Sequence, residues 1–177
     1  MEEFNELEWI NQFFDNAIDL QNEGIERLRN FVLLWNMFET FACNKNANIR
    51  SIRIGVENIN ATVTISNEML TPFVDYFADR YFNDNGTSKE IFEGLKFRNG
   101  DDIQAKEDVR LILTGQIVES KEVLKGLLFI LFRFRNNLFH GEKQVVLLDT
   151  QISNFTYANR LLANVLDIMK TNYLITF

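Results

Sequence analysis

Hydrophobic residues recur every three to four positions over most of the chain, which is the spacing of one buried helix face. The helices that this spacing predicts cover residues 3–22, 25–44, 73–82, 88–95, 101–115, 119–140 and 150–172. A short connection at Gly24 joins the first two, so we expect them to form an antiparallel hairpin. The pattern therefore predicts a mainly all-α fold, a helical bundle.

Residues 45–66 depart from this pattern. Isoleucine and valine nearly alternate with polar residues in Ser51–Val56 and Ala61–Ile65, and such alternation is typical of strands. We therefore expect an irregular segment or a short β-hairpin inserted at 45–66. Thr71 before Pro72 predicts that the next helix begins there. No linker or repeat divides residues 1–177, which predicts a single domain.

Composition limits the classes of function. The chain is 46% hydrophobic, which excludes general disorder, and its net charge of −7 argues against a nucleic-acid coat protein, since phosphate binding depends on Lys and Arg. One Cys and one His exclude an internal disulfide and a Cys/His zinc site. The N-terminus lacks a signal-peptide pattern, and the longest apolar run, Gly126–Phe132, is too short to cross a membrane. We expect a cytoplasmic protein without a membrane partner.

A polar cluster follows the apolar segment Val123–Phe132. Its members are Arg133, Arg135, Asn136, Asn137 and His140. RNA carries its own nucleophile, the 2′-hydroxyl, so its cleavage needs a proton-transfer group that titrates near neutrality and a positive charge beside the phosphate. Histidine titrates in that range, and arginine grips phosphate oxygens in pairs. We expect proton transfer by His140, phosphate binding by Arg135 and orientation by Asn136.

The segment Arg135-Asn-Asn-Leu-Phe-His140 resembles the signature of the HEPN superfamily, in which four residues separate the arginine from the histidine. Gly141 directly after the histidine is also common in that family. The resemblance covers six residues. It implies an all-helical bundle, a dimer that pairs the two motif helices across a shared cleft, and cleavage of RNA without a metal or another cofactor. HEPN proteins are frequently toxins or defence effectors, which implies an antitoxin partner.

The geometry of a straight helix does not bring Arg135 and His140 together. They lie about 140° apart around the axis, whereas Asn136 and Arg133 lie within about 40° and 20° of His140. One histidine also cannot act as both acid and base in a single chain. A second copy of the chain resolves both difficulties, so we expect a homodimer with a shared site.

Residues beside the motif have two interpretations each. We expect Arg133, Asn137 and Lys143 to contact substrate, and we expect no metal ligand. Alternatively, Arg133 pairs with a glutamate of its own helix or with a neighbouring helix, and Asn137 is structural. Glu39 lies on a largely apolar helix and either pairs with the motif arginine or faces solvent.

Two other functions fit the same residues. A non-catalytic HEPN-like module would bind RNA, a nucleotide or a protein without cleaving it, and the acidic net charge favours this alternative. A helical dimerisation domain would use the polar cluster as an interface network. A histidine before a glycine is also a common helix end, with no catalytic role.

Overall fold

The computed structural model describes residues 4–13, 22–98, 100–139 and 151–175. Its helices are α1 (Glu6–Phe13), α2 (Asn22–Ala42), α3 (Ile49–Thr62), α4 (Asn67–Tyr81), α5 (Glu90–Glu93), α6 (Asp101–Leu113), α7 (Ser120–Phe139) and α8 (Ile152–Thr171). Among these residues the only β-type pairing is an isolated antiparallel bridge between Phe82 and Ser88. The prediction of a mainly all-α helical bundle is confirmed.

Helix α7 lies at the centre of the bundle. Every side chain from Val123 to Phe134 is buried, including the charged residues Lys125 and Arg133. Helices α3, α4 and α6 pack against α7, while α2 runs along α8. The apolar run that the sequence places before the polar cluster is therefore surrounded by other helices, and α7 meets solvent only near its ends.

The insertion expected at residues 45–66 is wrong, because most of this segment is helix α3. Its buried residues are Ile49, Ile52, Gly55, Val56 and Ile59, which recur at helical spacing. Asn48 caps the helix: its side chain accepts from Ser51 N at 3.0 Å, and Ser51 Oγ accepts from Asn48 N at 2.9 Å. Packing of this face against α7 outweighs the small helix penalty of β-branched residues, which suggested a strand.

Helix α4 begins earlier than Thr71–Pro72. Ser66 is its N-cap, and the Ser66 hydroxyl accepts from Glu68 N at 3.1 Å. Pro72 therefore lies inside the helix and leaves the carbonyl of Glu68 without its usual helical donor. The predicted start was wrong because Ser66, five residues upstream of Thr71, caps the helix.

Helix α2 packs mainly against α8, and the connection of the expected hairpin with the first helix lies at residues 14–21, outside the described residues. Asn159 of α8 donates to the carbonyl of Arg27 at 2.9 Å, and the rings of Phe31 and Phe155 lie 5.4 Å apart. Helix α1, the described part of the first predicted helix, has no buried residue. None of the described helices is long and apolar enough to cross a membrane.

Candidate functional site

The last turn of α7 brings the first two motif residues to the surface. After twelve consecutive buried residues, Arg135 and Asn136 are only half-buried. Arg135 Nη1 donates to Asn136 Oδ1 at 3.1 Å, so the two side chains form one polar pair. Two of the three residues predicted to be catalytic are thus adjacent and accessible at the end of the central helix.

Arg135 forms one wall of a small pocket against α2. The pocket has a volume of about 90 Å³ and is lined by Phe31, Val32, Trp35, Asn36, Glu39 and Arg135. Phe31 and Trp35 are buried and belong to the core, so the base of the pocket is apolar. Asn36, Glu39 and Arg135 supply its polar groups. Arg135 therefore faces α2.

Glu39 lies in this pocket with both carboxylate oxygens engaged. Oε2 accepts from Trp35 Nε1 at 3.0 Å, and Oε1 accepts from Ala47 N at 2.9 Å. Glu39 is therefore not a simple solvent-facing residue, and it lines the same pocket as the motif arginine. It ties the connection between α2 and α3 to the indole of Trp35.

Arg133 points away from the Arg135 pocket and is buried. Its side chain is 3% exposed, and Nη1 contacts Asp102 Oδ2 at 3.1 Å. Nε donates to the carbonyl of Leu95 at 3.0 Å, and Nη2 donates to that of Lys96 at 2.5 Å. Burial lowers the pKa of the Arg133 guanidinium, and the charge of Asp102 opposes that shift. Its donors are occupied by the protein, which favours pairing with a neighbouring segment over substrate contact.

Asn137 lies beside Arg133, one turn further along α7. It is 2% exposed. Its Nδ2 donates to the carbonyls of Gly94 and Leu95, at 3.0 and 3.4 Å. Together the two side chains fasten residues 94–96 to α7, which favours the structural interpretation of Asn137. The sequence held a signal for this shared role, because residues four apart lie on one helix face.

His140 and Lys143 lie outside the described residues, as does Gly141. Their expected roles stay predictions. Among the residues that the structure does describe, no group of three or more His, Cys, Asp and Glu side chains is placed to hold a metal ion. Burial raises the pKa of the Cys43 thiol to about 11, so this cysteine stays protonated at neutral pH.

No family model, curated protein or solved structure matches this chain.

Proposed function

We propose that this chain is a metal-independent endoribonuclease of the HEPN type. One observation carries the proposal: the Arg135–Asn136 pair emerges at the end of a buried central helix, in a helical bundle. His140 follows the last residue of that helix in the sequence. An arginine held at a surface, followed at this spacing by the only histidine, supplies the charge and the proton-transfer group that RNA cleavage requires.

The chemistry divides among three side chains. Arg135 binds the phosphate and stabilises the charge that builds on its oxygens in the transition state. Asn136, hydrogen-bonded to Arg135, orients the guanidinium. His140 transfers protons. The 2′-oxygen loses its proton and attacks phosphorus, the bond to the 5′-oxygen breaks, and that oxygen gains a proton. The products are a 2′,3′-cyclic phosphate and a 5′-hydroxyl.

The direct test is cleavage of single-stranded RNA by purified protein in EDTA. We expect cleavage in the parent protein, none with His140→Ala and strongly reduced cleavage with Arg135→Ala. Arg160→Ala is the matched control, because Arg160 is an exposed arginine on α8. Activity that survives His140→Ala, or that EDTA abolishes, would overturn the proposal.

The proposal includes a homodimer with a shared site, because a straight helix places Arg135 and His140 about 140° apart around its axis. Mixing the Arg135→Ala and His140→Ala proteins tests this feature. If each site takes Arg135 from one chain and His140 from the other, random heterodimers restore about a quarter of the parent activity. If both residues act within one chain, mixing restores nothing. Equal mixtures should be refolded together so that subunits exchange.

A toxin or defence role follows as a narrower proposal, with an antitoxin protein as the expected partner. Expression of the parent chain in bacterial cells should then arrest growth and shorten cellular RNA. Expression of His140→Ala at an equal level should do neither. Normal growth with active enzyme present would contradict the toxin role and leave the ribonuclease assignment intact.

The acidic net charge of −7 favours a second candidate, a non-catalytic HEPN-like module that binds RNA, a nucleotide or a protein. This function predicts binding that weakens with salt and with Arg135→Ala, while no cleavage product forms under any condition.

A further inference from the structure

We propose that a groove along α4 binds a segment of a partner protein that carries both apolar side chains and lysine or arginine. The groove, here the α4 groove, lies between residues 67–86 and residues 112–118, with Val123 at its base. It consists of two adjoining pockets of about 240 and 400 Å³ that share Asp75. The smaller pocket is mainly apolar and the larger one is acidic. The inference does not rest on the proposed ribonuclease activity.

One face of α4 forms the long wall of the α4 groove. Its lining residues recur every three or four positions, which places them on a single side of the helix, as in the series Asn67, Thr71, Asp75, Ala78 and Phe82. This face is about 22 Å long at 1.5 Å per residue. A helical segment of about 15 residues has the same length, so the α4 groove can accept several consecutive turns of a partner.

The smaller pocket offers apolar surface to such a segment. Leu70, Ile112 and Val123 are buried and form its base. Ile117 is half-buried, and Val118 at the rim is 67% exposed. An apolar side chain that enters this pocket removes its own surface and that of Ile117 and Val118 from water, which is favourable.

The wall opposite α4, at the connection between α6 and α7, is fixed by backbone hydrogen bonds. Gly115 has a φ of +73° and ends α6 in the left-handed conformation. Its N–H donates to the carbonyl of Ile112 at 3.0 Å, and Gln116 N donates to that of Leu111 at 2.8 Å. Ile117 N donates to the same carbonyl at 3.2 Å. Because the wall is already ordered, a partner loses little free energy in arranging it.

The larger pocket determines the charge of the partner. Asp75, Asp79 and Asp84 line it and are exposed. No salt bridge or side-chain hydrogen bond within the described part of the chain engages these three carboxylates. The cation bonded to this end of α4, Lys89, donates to the backbone carbonyl of Asp79. Lysine or arginine beside an apolar anchor therefore complements the α4 groove, and an acidic partner is repelled.

The α4 groove and the candidate site lie towards opposite ends of α7. Val123 is in the first turns of that helix, and Arg135 follows twelve residues later, about 18 Å along the axis. A partner in the α4 groove therefore does not need to cover the pocket beside Arg135. Partner binding and RNA cleavage can be lost independently, so the two proposals fail in distinguishable ways.

The test begins with a random library of 15-residue peptides displayed on phage and selected against the full chain. Enriched sequences are synthesised with a fluorescent label, and their affinity is measured by anisotropy. Asp75→Lys with Asp79→Lys reverses the charge of the α4 groove. Glu26→Lys with Asp167→Lys is the matched control, because it changes the net charge equally at exposed acids of α2 and α8.

A second pair of variants examines the apolar contact. Val118→Ser removes apolar surface at the rim of the α4 groove. Ile103→Ser is its control, because Ile103 is 61% exposed on α6 and does not line the groove. Both changes are at exposed positions, and thermal unfolding should show midpoints close to that of the parent.

We expect the enriched peptides to combine apolar residues with lysine or arginine. The reversal at Asp75 and Asp79 should weaken their binding about tenfold or more, since like charges then face each other. Peptides with glutamate in place of their basic residues should bind this variant and not the parent. Val118→Ser should weaken binding about threefold or more, through lost apolar burial. Both control variants should match the parent.

Three results would overturn the inference: no enrichment of any peptide, enriched peptides without basic residues, or equal affinity in the groove variants and their controls. Sedimentation velocity tests a second copy of the chain as the occupant instead. A parent dimer that becomes monomeric in Val118→Ser and not in Ile103→Ser would also overturn the inference, because the α4 groove would then be an interface between copies. RNA cleavage by the parent is measured separately and decides only the ribonuclease proposal.

Discussion

The two faces of the last turns of α7 have nearly the same residues and opposite environments. Arg133 and Asn137 are buried and bonded to the carbonyls of residues 94–96. Arg135 and Asn136 are half-buried and paired with each other beside the α2 pocket. Residues 133 and 137 lie about 40° apart around the helix, whereas 135 lies on nearly the opposite side. Helical phase, more than residue type, separates a structural arginine from a candidate catalytic one.

The largest expected effect is on stability, from Arg133→Met. The change removes the Arg133 donor from Asp102 and from two loop carbonyls in a buried setting, so we expect the free energy of unfolding to fall by about 3–5 kcal/mol. Urea unfolding followed by circular dichroism measures it. Arg135→Met is the control and should cost clearly less, because Arg135 is only half-buried at the end of α7. Similar losses in both variants would contradict the distinction between the two faces.

For RNA cleavage we expect a large effect from the change at Arg135, although that change has little effect on stability. Arg135→Ala should lower the rate of RNA cleavage by about 10²–10³, the usual loss for one transition-state donor, with an unfolding midpoint close to that of the parent. Single-turnover kinetics at saturating protein separate this rate from binding. A cleavage rate within threefold of the parent would show that Arg135 does not stabilise the transition state.

A smaller effect is expected from Asn137→Ala, which leaves the Gly94 carbonyl without its Asn137 donor. Its expected cost is about 1–3 kcal/mol of unfolding free energy, together with faster hydrogen exchange in residues 94–97. Asn136→Ala is the matched change on the other face and should leave exchange in that segment as it is. Equal exchange in the two proteins would show that Asn137 does not fasten the segment.

The smallest effect concerns the second buried cation of α7, Lys125, whose amine donates to Glu57 at 2.5 Å and Glu122 at 2.8 Å. Burial lowers the pKa of Lys125, but the two hydrogen bonds outweigh burial and raise it. The hydrogen bond from Lys125 lowers the pKa of Glu57 below its ordinary value of 4.5. The Glu57 contribution is therefore complete above that value and is lost as pH falls through the lowered pKa.

Unfolding measured from pH 7 to pH 3 checks this sign. The difference in stability between the parent and Glu57→Gln should shrink as the carboxylate of the parent is protonated. Glu107→Gln is a useful comparison, because Glu107 also has a lowered pKa, through an exposed pair with Arg110 on its own helix. A difference in unfolding free energy between the parent and Glu57→Gln that grows as pH falls would contradict the lowered pKa of Glu57.

The helical architecture was readable from the sequence because apolar spacing reports burial directly. The helix at 49–62 could not be predicted from the sequence. Its β-branched residues near Ile52 and Val56 fit both the two-residue repeat of a strand and the 3.6-residue repeat of a helix, and packing against α7 favours the helix. The start of α4 was misassigned because the only proline is a familiar helix-start signal. Tertiary packing therefore determined the structure of residues 49–62, and the Ser66 cap determined the start of α4.

The candidate site was predictable in part. The motif itself is visible in the sequence. The surface position of Arg135 and Asn136 could be predicted because the apolar run Val123–Phe132 ends just before them. The burial of Arg133 does not follow, because its acceptor at Lys96 lies 37 residues away in sequence.

The chemical nature of the RNA ends tests the proposed ribonuclease chemistry at its product. RNA is incubated with the protein in EDTA, and the fragments are identified by mass spectrometry. We expect 2′,3′-cyclic phosphate and 5′-hydroxyl ends with the parent protein, and intact RNA with His140→Ala. Intact RNA with the parent, or 5′-phosphate ends that persist in His140→Ala, would contradict it.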